Sequence, residues 1–149
     1  MHNPTIEKFG YPETLIREFD HWVLLVRPQQ PTLGSMVLAA KSDATAYGAL
    51  TDEVFAEQGV IVRAAEAALH QLIDYERLNY LMLMMVDPNV HFHIIPRYST
   101  PRRWQGMDFP DSGWPGPPDL KAVVVLERSQ IDAMAQWLGA VINPDHPQL

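Results

Sequence analysis

The residues of this chain best suited to chemistry are His91 and His93, in the stretch Asn89-Val90-His91-Phe92-His93-Ile94-Ile95-Pro96-Arg97. Its composition reads as a strand, and strand side chains alternate between two faces. Asn89, His91, His93 and Ile95 therefore share one face, and Val90, Phe92 and Ile94 the other. Successive residues on one face lie roughly 6.5–7 Å apart, so two imidazoles can bracket a single phosphoryl group, one attacking phosphorus and the other donating to an oxygen. Histidine suits the attack because its neutral form is well populated near pH 7 and a nitrogen–phosphorus bond is labile enough for water to break. Such a pair suits nucleotidyl transfer.

The spacing by itself leaves two other readings open, a pair of satisfied core histidines and two ligands of a metal site. A metal needs at least one more ligand, and His21, His70 or His146 would have to be brought in by folding, with no spacing to recommend them. The chain has no cysteine, which removes disulfides, thiolate metal sites and a cysteine nucleophile and agrees with a reducing compartment. It carries no Walker-type phosphate loop, no GxGxxG fingerprint and no GxSxG nucleophile elbow. Arg97, directly after the strand, can set a planar two-donor group beside a phosphate. Arg102 and Arg103 add a local basic cluster. Trp104, Phe109 and Trp114 lie in the Pro- and Gly-rich stretch from Pro96 to Pro118, where aromatic side chains are expected to anchor a loop to the core. Lys41 ends a strand and reads as a solvent-facing charge.

The elements that must position these residues follow from the pattern of the rest of the chain. With 149 residues, 47% of them hydrophobic, the chain can bury roughly two-thirds of its unfolded surface in one core. A single domain is expected over 1–149, its core at about 15–100 and a C-terminal loop, strand and helix over 101–149. The net charge of −7 argues against a general nucleic-acid binder but leaves room for a small anion on a local basic patch. No apolar run approaches the ~18 residues needed to span a bilayer, and Met1-His2-Asn3-Pro4 lacks the regions of a secretory signal, so the expected location is cytoplasmic with no membrane partner.

Trp22 to Val26 reads as a buried strand, Pro28 to Pro31 as a turn and Ser35 to Ala40 as the returning strand of an antiparallel hairpin. From Thr51 to about Asp74, Val54, Phe55, Ile61, Val62, Ala65, Leu69, Leu72 and Ile73 recur at helical spacing. Leu78 to Val86 is read as a strand with Met82, Met84 and Met85 as core filler, joined by a tight turn at Asp87-Pro88-Asn89 to a strand from Val90 to Ile95. Ala122 to Leu126 reads as a last strand, and Ser129 with Asp132 as a capping box opening a helix through Ile142. The fold class is α+β, an antiparallel sheet with helices on one face.

The string from Val90 to Arg97 resembles the histidine-triad signature, three histidines alternating with apolar residues and followed by Pro-Arg. Arg27-Pro28-Gln29-Gln30-Pro31-Thr32-Leu33-Gly34 with Val37 to Lys41 resembles that family's hairpin, and the long helix falls where the family has one. The likeness covers about Trp22 to Arg97. It implies a HIT-like fold and hydrolysis or nucleotidyl transfer on nucleoside phosphate conjugates, either dinucleoside polyphosphates or phosphoramidates, through a nucleotidyl-histidine intermediate. It also implies a homodimer joining two sheets, a small-molecule nucleotide as partner, and no required cofactor beyond a divalent cation carried on the substrate's phosphates. By motif position His91 is similar to the nucleophile and His93 to the histidine that contacts phosphate. Asn89 holds the first triad position, where an amide can hydrogen-bond but not take up a proton. The small polar residues that usually precede the triad are replaced by Asp87-Pro88. Where many relatives hold the ribose with an acidic residue, this chain has Val26 and Arg27, which puts Arg27 with Arg97 among the expected substrate contacts. These departures keep a second reading in view, a nucleotide-binding module without turnover.

Overall fold

In the computed structural model, which describes residues 2–144, the chain opens with a short helix, α1 (Pro4–Lys8), that five residues are too few to announce by periodicity. Its start carries two local signals. The Asn3 side-chain oxygen accepts from the Ile6 amide at 3.0 Å, and Pro4 stands in the first turn, where a missing N–H costs nothing. There follow β1 (Leu15–Glu18), β2 (Trp22–Val26), β3 (Gln29–Gln30), β4 (Met36–Ala40), α2 (Asp52–Ile73), β5 (Arg77–Leu81) and β6 (His91–Arg97). Beyond them lie β7 (Arg102–Trp104), β8 (Met107–Phe109), β9 (Val124–Val125) and α3 (Arg128–Gly139). The main sheet has the order β1-β2-β4-β6-β5 and is antiparallel at every pairing. The α+β class, with its long helix and C-terminal helix, is as the sequence implies.

All five residues of β2 and of β4 are buried, because both faces of the sheet are covered. One face sets Trp22, Leu24, Val26, Met36, Leu38 and Ile94 against the apolar sides of α2 and α3. The other sets Val23, Leu25, Val37 and Ala39 against Ile6 of α1. Helices therefore lie on both faces rather than one.

The β2–β4 hairpin is locked from within. Gln30 donates to the carbonyls of Arg27 at 2.7 Å and Ser35 at 2.8 Å, and its side-chain oxygen accepts from the amides of Gly34 at 2.9 Å and Ser35 at 3.2 Å. Gly34 sits at φ +84, and a Cβ there would come within 3.2 Å of Leu69 on α2, so conformation and packing both call for glycine. α2 closes on Asp74 at φ 54. Arg102 caps that end, donating at 2.8 Å to the carbonyls of both Ile73 and Asp74 while stacking on Tyr98.

Several expectations need correction. The strand expected over Leu78 to Val86 stops at Leu81, and three residues on Met84 takes the left-handed conformation at φ 49, which turns the chain away from the sheet direction. Residues 82–90 form the connection instead of a tight turn, and Met85 is 84% exposed rather than core filler. The capping box of α3 is built by Glu127 and Gln130, whose side-chain oxygen accepts from the Glu127 amide at 2.8 Å. The last strand shrinks to β9, which pairs with β3. Within the stretch expected to be a loop, β7 and β8 form a hairpin whose Trp104 and Phe109 are buried as expected, Trp104 packing 5.7 Å from the Trp137 ring. Arg103 pairs with Asp108 at 3.0 Å, and Lys41 with Glu18 at 2.8 Å.

Candidate functional site

β6 carries His91 and His93 on the α1 side of the sheet, opposite Ala39 and Val37 of β4. Their ring centroids are 5.3 Å apart and the rings nearly perpendicular at 80°. His91 is 2% exposed and His93 8%. The Nδ1 of His91 lies 2.7 Å from the backbone carbonyl of Asn89. A carbonyl can only accept, so Nδ1 carries a proton, and in the neutral ring the lone pair is on Nε2. His93 is different. Burial first, then the charges of Arg27 and His91, push its pKa down to about 4, which leaves it neutral at pH 7, and its Nδ1 is buried without a hydrogen-bond partner among the described residues.

Two segments border the pair. Phe9, directly after α1, packs its ring 5.3 Å from His91 and 5.4 Å from His93. On another side the 82–90 connection encloses a cavity of about 170 Å³ lined by Leu83, Met84, Met85, Val86 and Asp87 with both histidines. These two covers are tied together. Lys8 pairs with Asp87 at 2.8 Å, and the Thr5 hydroxyl donates to the Asn89 side-chain oxygen at 2.9 Å while accepting from the Asn89 amide at 3.3 Å. Thr5, Lys8 and Phe9 are site residues that sequence reasoning missed, and the Asn3-Pro4 helix start was the signal that could have pointed to them.

Asn89 precedes β6, and its side chain is fully engaged, its nitrogen donating to the Asp43 carbonyl at 3.0 Å and its oxygen held by Thr5. It orients His91 through its backbone, not through the amide that motif position suggests. Arg97 requires a larger correction. It is 4% exposed and forms an ion pair at 2.7 Å with Asp111, itself 1% exposed. Further bonds run to Asn79 at 2.7 Å, the second Asp111 oxygen at 3.0 Å and the Gly116 carbonyl at 2.8 Å. A guanidinium with these partners fastens the chain after the strand and is not free to hold a phosphate. Arg27 has the opposite situation. Its amide donates to the Ser35 carbonyl at 3.1 Å, extending the β2–β4 pairing, while its Nη1 is buried with no partner among the described residues and burial lowers its pKa.

No family model and no curated protein matches the sequence. Solved structures do match. A histidine triad protein from Bradyrhizobium japonicum superposes with a TM-score of 0.70 at 18% identity, covering 95% of this chain and 97% of that one. Another, from Sinorhizobium meliloti, gives 0.72 at 16% identity over 95% and 96%. The chain has the histidine-triad fold. A diadenosine triphosphate hydrolase from Plasmodium falciparum shares that fold, at a TM-score of 0.62 and 11% identity over 91% of this chain and 92% of that one. With the histidine-triad frame established, the remaining candidates fall outside the site. His70 stacks edge-on against Tyr75 at 5.9 Å, His21 contributes backbone bonds near Glu57 and Lys41, and His146 lies outside the described residues. Among the described residues no three His, Cys, Asp or Glu side chains gather as metal ligands, and no helix is long and apolar enough to cross a membrane.

Proposed function

We propose that this protein is a nucleotide hydrolase or nucleotidyl transferase in which His91 is the nucleophile and His93 a phosphate contact. The observation that carries this is the 2.7 Å contact between His91 Nδ1 and the Asn89 carbonyl, because it leaves the Nε2 lone pair available without any prior proton transfer. In the first step Nε2 forms a bond to the α-phosphorus of a nucleoside phosphate conjugate, and the bond from phosphorus to the leaving group breaks with its electron pair. Water then attacks phosphorus, the nitrogen–phosphorus pair returns to the ring, and a nucleoside monophosphate departs as the water's proton passes to solvent. The scheme needs no resident cofactor. A divalent cation would enter on the substrate's own phosphates.

The second reading, a binding module without turnover, is favoured by one specific observation: the first triad position holds an amide, which carries no titratable proton, and both its polar atoms are held by Thr5 and Asp43. Quenched-reaction mass spectrometry with ADP decides between them. The catalytic reading expects a nucleotidyl adduct on His91, and a His91→Ala variant that still binds nucleotide but turns over slower by on the order of 10³-fold or more. Binding without adduct or turnover in the parent protein selects the module. Turnover surviving in His91→Ala overturns the role of His91.

A further inference from the structure

Arg27 is a half-buried cation whose Nη1 is buried, and no acidic side chain among the described residues answers its charge. Burial is what acts on its guanidinium, its Nη1 has no partner, and none of the ion pairs among the described residues involves it. Leaving even a half-buried charge uncompensated carries a cost, and a chain with 18 acidic residues had ample means of placing a carboxylate beside it. A counter-charge supplied from outside removes the cost.

The position of Arg27 says where that charge would belong. Leu25 pairs with Val37 and Val37 with His93, so Arg27 lies two residues along and two strands across from His93 on the same face. Standard strand spacings put the two Cα atoms about 12 Å apart, the larger part of which an extended arginine side chain covers. The guanidinium is in fact near enough for its charge to act on the His93 ring. Beside it opens a cavity of about 340 Å³ lined by Lys8, Phe9, Gly10, Arg27, Pro28 and Gln29. Of its two cations Lys8 is paired with Asp87 at 2.8 Å, which leaves Arg27 as the unanswered charge, and Phe9 is the shared wall between this cavity and the histidines.

We infer that the Arg27 cavity is a second anion subsite, which receives the phosphate next to the one held at His91 and His93, so that the protein selects nucleotides whose phosphates continue as an anhydride chain. This rests on the function proposed above and narrows its substrate class. The missing acid at position 89 fits the same choice. When His91 Nε2 bonds to the α-phosphorus of an anhydride, the bridging phosphorus–oxygen bond breaks and its electron pair stays on the departing phosphate as a stable anion beside Arg27. An amine leaving from a phosphoramidate would need a proton at that moment, and Asn89 cannot give one.

Calorimetric titration of the whole chain carrying His91→Ala, which binds nucleotide with turnover slowed by on the order of 10³-fold or more, with AMP, ADP and inorganic tripolyphosphate tests the subsite. ADP should bind at least about tenfold tighter than AMP, the order expected for one charge-assisted contact, and tripolyphosphate should displace it. In Arg27→Gln the ADP-to-AMP ratio should fall to near one, and Arg27→Lys should recover part of it. The ligand-free Arg27→Gln protein should melt no lower than the parent, since an unanswered charge has been removed, which also reports that it folds. ADP binding no tighter than AMP, or a ratio that survives Arg27→Gln, overturns the subsite and leaves the His91 reading standing. If neither nucleotide binds the parent, the proposed function fails and takes this substrate class with it.

Discussion

Burial and the neighbouring guanidinium of Arg27 keep the His93 imidazole neutral down to about pH 4, whereas in the unfolded chain it takes a proton near its ordinary value of about 6.5. Between those limits the unfolded state binds more protons than the folded one, so stability rises with pH across the window and is lost as pH falls through it. The melting temperature of the parent should therefore drop more steeply from pH 7 to 4.5 than that of His93→Gln, whose side chain cannot titrate. Calorimetric scans in matched buffers check this, and parallel slopes would show that His93 does not resist protonation in the folded state. The same residue shows what a motif can and cannot tell. His-x-His on an alternating strand announces that the two rings share a face, but the depressed basicity of His93 depends on how the fold buries the ring and on Arg27, which comes from a distant part of the chain.

At the level of elements, Arg97 binds the end of β6 to Asn79 on β5 and to Asp111 and Gly116 in the segment beyond β8. Arg97→Ala would strand the Asp111 carboxylate in the interior, and urea unfolding should show a loss of about 3–5 kcal/mol. Arg97→Lys should recover only part, because an ammonium cannot reproduce the planar fork. A variant with parental stability but weakened nucleotide binding would instead return Arg97 to the role its motif position suggests. The misreading has a physical origin: its partner lies 14 positions on, in a Pro- and Gly-rich stretch whose path no local pattern reveals. The elements that were legible are those with a period, the β2–β4 hairpin by its two apolar runs and α2 by its buried stripe. The end of β5 is not legible because apolar content alone does not mark where pairing ends, and it ends at Leu81 among residues that still look like strand. α1 was passed over because five residues hold no period, though Asn3 and Pro4 mark its start.

For the molecule as a whole, the two edges of the sheet differ. At β1, Arg17 donates to the Gly139 carbonyl at 2.9 Å, tying that edge to the end of α3. β5 is the other edge, and it runs directly into Leu83, Met85 and Val86, which are exposed. We propose that two copies pair through β5 about a twofold axis, since an open strand edge and a contiguous apolar segment are what such an interface covers. Light scattering at micromolar concentration should give twice the mass of the chain, and a strictly monomeric mass would exclude the pairing. The β4–β6 register has a consequence in time as well as in space. His91 and His93 meet their β4 partners only after a loop of roughly fifty residues containing all of α2 has closed, a late and entropically expensive event. During synthesis the hairpin and α2 are complete while β6, which carries the site proposed above, is not yet paired, so on that proposal a nucleotide cannot template folding. What a bound nucleotide can do is slow the reverse reaction, and kinetic traces should show it as an unchanged refolding rate and a reduced unfolding rate.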